Sequence, residues 1–296
     1  MRFDAWNATF PNEVLNEVRF YLETKLGAIL ENREHGLHGY KFSELIQIEG
    51  VTHGVIAYGG INPRLFVEVK GEPSQVWSEF VQSWINEWQG SDVLALLTRA
   101  DVCFDWEDSS DVVALAPSLR KFVESAVAPD GGRPPQWDQR GDWNSPEGRL
   151  RGCTLYMGAA SSSVRVRLYD KGAELKSRGI DASDNLRRVE VQVRASSKAE
   201  KTAWATLPPQ TFWTVSVSVR AVATHLSVPF GGSMVRVPSA PADLERLKTL
   251  ASVQYGDAIS ALVRDLATGA PSATVLVELL VAEIDKRRRS VIRRAA

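Results

Sequence analysis

Three observations make this sequence an α+β chain, an antiparallel sheet with helices packed on one face. Short runs rich in β-branched and aromatic residues come in pairs around glycine-containing turns, the mark of β-hairpins. Segments with apolar residues at helical spacing alternate with them. Three of the strand-like runs are apolar on one side only, which fits a sheet covered on a single face. The order hairpin, helix, strand, helix, hairpin, helix, strand hints at two related halves, without a tandem repeat at short fixed period. The expected division is an α+β region over 1–200, with sub-halves at about 1–127 and 150–200, then a mostly helical region over 201–296.

The elements follow in chain order. NEVLNEVRFYLETKLG spaces Val14, Leu15, Val18, Tyr21, Leu22 and Leu26 along one helical face, and Gly27 marks its stop. GVIAYGG and RLFVEVKG then read as a hairpin. In SQVWSEFVQSWINEWQG, Trp77, Phe80, Trp84 and Trp88 recur at helical spacing, a stripe that suits core packing better than base stacking. LLTRADVCFDWED is the next strand, followed by a helix from Asp111 to Val127 that Pro117 is expected to break or kink. Between Pro129 and Glu147 the density of Gly, Pro, Asp and Asn predicts a long loop. CTLYMG and VRVRLYDK form a second hairpin around AASSS; KGAELKSRG is helical and RRVEVQVR is a strand. From about Ser197 the pattern is mostly helical, most clearly in DLERLKTLASVQYGDAISALVRDLATG.

Composition narrows the setting. The 296 residues are 44% hydrophobic, enough for a substantial core. There is no apolar run of membrane-spanning length and no export signal, so a cytoplasmic protein without a membrane partner is expected. The two cysteines, Cys103 and Cys153, fall in strand-like runs and read as buried reduced thiols. With 35 basic and 36 acidic residues the molecule is no general polycation. Its charge is uneven, however. Ten Lys/Arg stand against five Asp/Glu between Arg149 and Arg194, and KRRRSVIRR adds a second basic cluster that includes Arg287, Arg288 and Arg289. That cluster suits either a solvated helix end or phosphate contact.

The three polar-faced strands carry the chemistry. Period-two alternation in RADVCFDW puts Ala100, Val102, Phe104 and Trp106 on one face and Arg99, Asp101, Cys103 and Asp105 on the other. In VRVRLYDK it leaves Arg165, Arg167, Tyr169 and Lys171 opposite three apolar residues, and in RRVEVQVR it leaves Arg188, Glu190, Gln192 and Arg194 opposite three valines. Each charge taken alone suits the solvated side of an amphipathic strand. As a set they ask for another reason, because Asp is disfavoured inside strands. Carboxylates on neighbouring strands can hold Mg²⁺ or Mn²⁺ against phosphate oxygens, with arginines gripping the flanking phosphates. Cations beside Tyr169 would favour its phenolate, although a strand tyrosine also suits simple packing.

These residues resemble a known family, the Rep_trans-type replication initiation factors of rolling-circle plasmids and filamentous phages. TRADVCFDW is similar to the family's Arg-x-Asp-x-x-x-Asp strand, and TLYMGAASSSVRVRLYDKGAE to its Tyr-x-Gly hairpin followed by Tyr-Asp/Asn-Lys. RRVEVQVR is similar to its Arg-x-Glu strand, and GVIAYGGINPRLFVEVKG and QYGDAISALV also match, over roughly residues 40 to 265. The resemblance implies an enzyme that nicks and rejoins one strand at an origin, its nicking domain being the α+β region. By motif position Tyr169 is the nucleophile forming a 5′-phosphotyrosine link, Lys171 and Arg167 stabilise phosphate or phenolate, and Asp101, Glu190 and Asp105 are the metal ligands. Arg99, Arg165, Arg188 and Arg194, with the C-terminal Arg287 to Arg289, are the expected DNA contacts. Single-stranded or cruciform origin DNA, a host helicase and polymerase, and a homodimer are the implied partners.

The better-known rolling-circle initiators use a His-hydrophobic-His metal motif, which this chain lacks; its EHGLH pair, His35 and His38, reads as incidental. Two other readings stay open: a DNA-binding regulator on the same fold that does not cut, and a carboxylate-metal nuclease that uses water.

Overall fold

In the computed structural model the chain divides into two compact units, Met1–Val237 and Pro238–Ala296. The structure describes residues 1–87, 95–130, 134–145 and 151–234, all in the first unit. The late QYGDAISALV motif, the basic cluster with Arg287, Arg288 and Arg289, and Trp88 lie outside the described residues. Residues 201–234 belong with the first unit, which therefore runs past residue 200.

The strands are β1 (Arg2–Pro11), β2 (Ile29–Asn32), β3 (Phe42–Ile48), β4 (Val51–Tyr58), β5 (Arg64–Lys70), β6 (Leu96–Glu107), β7 (Trp137–Arg140), β8 (Thr154–Met157), β9 (Val164–Tyr169) and β10 (Leu186–Arg194). The helices are α1 (Leu15–Leu26), α2 (Pro73–Glu87), α3 (Val112–Val127), α4 (Lys171–Ser177), α5 (Lys198–Trp204) and α6 (Val217–His225). All ten strands join one antiparallel sheet in the order β2-β3-β4-β5-β1-β6-β10-β9-β8-β7.

That order is a duplication. β1 to β5 lie as β2-β3-β4-β5-β1, and β6 to β10 repeat the same arrangement as β7-β8-β9-β10-β6, with β1 and β6 paired antiparallel about a local pseudo-twofold. The repeat therefore begins again at β6, and β6 and α3 belong to the second half. Side chains echo it: Arg2-Phe3-Asp4 on β1 matches Arg99-Ala100-Asp101 on β6, and Val67-Glu68-Val69 on β5 matches Val189-Glu190-Val191 on β10.

One hydrophobic cluster underlies the sheet. It takes Val18 and Leu22 from α1, Trp77 from α2, Leu119 from α3, Trp204 from α5 and Val222 from α6, together with inward residues of the strands. The tryptophan stripe is core, as its spacing predicts: Trp77 is fully buried and packs edge-on against Phe10, and Trp84 stacks on Phe10. Burying side chains of this size supplies several kcal/mol each, roughly 25 cal/mol per Å² of apolar area. α4 gives no residue to this cluster and lines the opposite face instead.

Local rules account for several boundaries. Gly27 ends α1 in the left-handed region, at φ 64°, where a Cβ is costly. Asp111 caps α3 by accepting from the Ala114 amide at 2.8 Å, and Ser197 caps α5 by accepting from Glu200 at 3.1 Å. Several elements differ from the sequence reading. α3 runs unbroken through Pro117, its apolar face held by the core at Ala116, Leu119 and Val123. The Gly- and Pro-rich segment contains the edge strand β7, which pairs with β8 from Trp137↔Met157 to Arg140↔Thr154; an edge position tolerates such composition because half its backbone groups face solvent. β1, a central strand, and β2 and β3 at the far edge are absent from the elements predicted by periodicity. Both cysteines are buried and unbridged, as expected.

Candidate functional site

β6, β10 and β9 are consecutive in the sheet, so the three polar faces read from the sequence form one surface. The register sets Arg188 opposite both Asp105 and Tyr169, Glu190 opposite both Cys103 and Arg167, and Gln192 opposite both Asp101 and Arg165. With a side-chain period of two, all of these project to the face opposite the hydrophobic cluster. This face opens into a groove of about 1280 Å³.

Tyr169 closes β9 and lines that groove, the residue being 9% exposed. Its hydroxyl donates to Glu190 Oε1 at 2.8 Å. Arg167 donates from Nε to Glu190 Oε2 at 3.1 Å and forms a second, closer bond through Nη2, while its guanidinium carbon stands 4.9 Å from the Tyr169 ring centre. Lys171 Nζ approaches the same ring to 5.9 Å. Lys171 does not share the strand face: β9 ends at Tyr169, and Lys171 is the first residue of α4, ion-paired to Glu174.

Below the tyrosine lies a second layer. Arg188, almost wholly buried, makes a bidentate pair with Asp105, with Nη2 to Oδ2 at 2.7 Å, and donates to Asp4 Oδ1 at 2.9 Å; Glu190 Oε1 is 4.0 Å from its Nη1. Asp101 receives Arg99 through Nε at 2.8 Å and through Nη2, and Gln192 at 3.3 Å. Arg165 stacks its guanidinium 3.8 Å from the Tyr156 ring centre, and Arg194 donates to the Ala160 and Ser162 carbonyls at 3.1 and 2.8 Å.

Burial and partners set the protonation states. Burial pushes the Glu190 carboxyl above its usual range against the pull of Arg167, with Asp4 adding to the rise. Burial and then the Glu190 charge push the Tyr169 phenol far above the usual tyrosine value, and Arg188 and Arg167 do not offset them. The expectation that neighbouring cations would favour a phenolate is therefore corrected. The guanidiniums are already spent on carboxylates, and the phenol is neutral with its proton directed at Glu190. Cys103, beneath the acids, is pushed up to about 12, chiefly by burial, and is an inert thiol.

Asp4 was not legible as a site residue. It sits where the β1/β6 register shifts between Phe3 and Ala5, and this bulge re-aims its carboxylate toward Arg188. The Arg-x-Asp echo between β1 and β6 is the signal that could have found it. The first half has no nucleophile at the matching place: Val55 faces Glu68 and Ala57 faces Phe66, where the second half has Arg167 facing Glu190 and Tyr169 facing Arg188.

Among the described residues no three His, Cys, Asp or Glu side chains converge as a ready-made metal cage. The EHGLH pair is not part of one; His38 packs edge-on against Phe66. No helix of the described residues is long and apolar enough to cross a membrane.

Comparison with protein-family models finds no match for this chain, and comparison with curated proteins finds none. Among solved structures the fold is similar to that of a rolling circle replication initiator protein from Geobacillus stearothermophilus, with a TM-score of 0.50 and 18% identity. The match covers 78% of this chain and 98% of that one. The likeness is one of fold.

Proposed function

We propose that this chain nicks and rejoins one DNA strand at a replication origin by transesterification through Tyr169. The observation that carries the reading is the Tyr169 hydroxyl held 2.8 Å from a buried carboxylate, beside Arg167 and Lys171, on the floor of an open groove. A buried tyrosine needs one hydrogen-bond partner; here that partner is an acid that also holds Arg167, and a second cation, Lys171, approaches the ring. The fold likeness to a rolling circle replication initiator supports the same reading.

In the step proposed, the Tyr169 oxygen attacks the scissile phosphorus in line as its proton passes to Glu190. An oxygen–phosphorus bond forms, the bond to the 3′ oxygen breaks, and the 3′ oxygen leaves as a hydroxyl after taking up a proton. Lys171, whose ammonium stands 5.9 Å from the ring centre, is the proposed donor of that proton. Burial raises Glu190 above the usual carboxylate range, which makes it a stronger proton acceptor than an exposed glutamate. Strand rejoining is the reverse step. Arg167 and Arg99 grip the phosphates flanking the break by turning from their carboxylates; Arg165 and Arg194 do not line the groove and take no phosphate in this reading. Arg188 is too deeply buried to reach DNA, and its proposed role is to hold Asp105 and Asp4 in place.

Asp101 and Glu190, on adjacent strands of one face, would be the carboxylates to hold a Mg²⁺ or Mn²⁺ ion once their arginines turn to DNA, Glu190 through Oε2 so that Oε1 stays available for the tyrosine proton; such ions commonly take one or two protein carboxylates and complete their shell with substrate phosphate and water. Asp105, gripped by both Arg188 and Arg2, is the weaker ligand. The ion would neutralise charge growing on the phosphoryl oxygens. Host helicase, polymerase and a second copy of the chain remain proposed partners.

The test is incubation with single strands from the replicon's origin and Mn²⁺, followed by a denaturing gel. A protein–DNA adduct that disappears in Tyr169→Phe supports the reading. Cleavage without an adduct identifies water as nucleophile, and intact DNA identifies a binder that does not cut.

A further inference from the structure

We infer that Tyr156, backed by Arg165, is a stacking platform for the base next to the scissile phosphate. The inference deepens the proposed nicking function and rests on it. Tyr156 lies on β8 directly opposite Arg167 on β9, and its neighbour Thr154 on the same face is opposite Tyr169. The two tyrosines are thus diagonal neighbours across one strand pair, about 7–8 Å apart at the backbone. That separation suits a phosphate at one ring and the adjoining base at the other.

Three features mark Tyr156 as more than packing. It is half-buried on the polar face, outside the hydrophobic cluster, and it lines the groove. No hydrogen bond engages its hydroxyl among the described residues, so no polar partner explains a tyrosine there. One face of its ring is covered by the Arg165 guanidinium at 3.8 Å, and Arg165 itself does not line the groove. Arg165 Nε is buried without a hydrogen-bond partner among the described residues, which leaves the ring as that group's main contact. The guanidinium fixes the ring's plane from behind and leaves its other face to the groove. A flat aromatic, pre-oriented beside a phosphate-binding arginine, is what single-stranded nucleic acid binds without sequence preference.

The test uses Tyr169→Phe protein, which cannot cut, and fluorescence anisotropy with a labelled origin strand on which the nick has been mapped. A single abasic site is moved stepwise across the nick. One abasic position beside the nick is expected to weaken binding, by roughly five- to a hundredfold. Adding Tyr156→Ala should weaken the intact strand by a similar factor and abolish the abasic penalty, while Tyr156→Phe keeps both affinity and penalty. Should Tyr156→Ala melt early, Tyr156→Leu gives the same readout with β8 packing retained. A penalty that persists without the ring, or a flat abasic profile with strong binding, overturns this inference alone. Absence of single-strand binding overturns the nicking function with it.

Discussion

Arg188→Met tests the buried charge layer under the candidate nucleophile. The substitution keeps an unbranched apolar stem and removes the guanidinium with its charge. In the native protein the Arg188 side chain is 4% exposed and faces Asp4 (21%), Asp105 (24%) and Glu190 (4%). Breaking a buried pair from one side costs about 3–5 kcal/mol, because the partner charges stay behind. Water reaches Asp4 and Asp105, and Arg2 remains 3.4 Å from Asp105, so the low end, about 3 kcal/mol, is expected. At about 2–4 °C per kcal/mol for a unit of this size, the melting temperature falls by about 6–12 °C. Urea titrations of both proteins at pH 7 read this difference directly. A loss below about 1 kcal/mol refutes the argument that Arg188 neutralises this cluster.

Further outcomes follow from the same geometry. Single-turnover nicking should rise with pH as Glu190 ionises, above the ordinary glutamate value near ~4.3, and then level off; Glu190→Gln should be slow throughout and lack this limb, whereas a rate that keeps climbing into the alkaline range would mean that Tyr169 must ionise first. Cys103 and Cys153, each 1% exposed, should resist a thiol reagent in the folded protein and both react in denaturant; rapid labelling of native protein would contradict their burial. Gly172→Ala sets two effects against each other: alanine favours a helix by about 1 kcal/mol, but its Cβ would stand 1.9 Å from the Ser183 carbonyl oxygen. The clash with backbone should win, lowering stability by about 1–3 kcal/mol and nicking more than DNA binding, since Gly172 follows Lys171; a stabilised variant would show that α4 can shift freely.

Much of the fold was legible because its signals are local. Alternation at period two sorted the faces of β6, β9 and β10, helical spacing found α1 and α2, and Gly27 marked a stop that its φ explains. β1 was not legible: a bulge at Asp4 and a second shift at Asn7/Ala8 break its alternation, though it is a central strand. β7 was hidden by loop-like composition that an edge position tolerates.

The sequence alone determined which side chains share the polar face wherever the strand continues, because pleating makes that a property of position along each strand; it failed at Lys171, where β9 has ended. It could not determine whom they touch. That Arg188 reaches Asp4 from 184 residues away, that Arg167 is bound to Glu190, and that Tyr169 keeps its proton were decided by strand order and burial. Charge interactions depend on distance and on exclusion of water, and both exist only once β1, β6, β10 and β9 lie side by side.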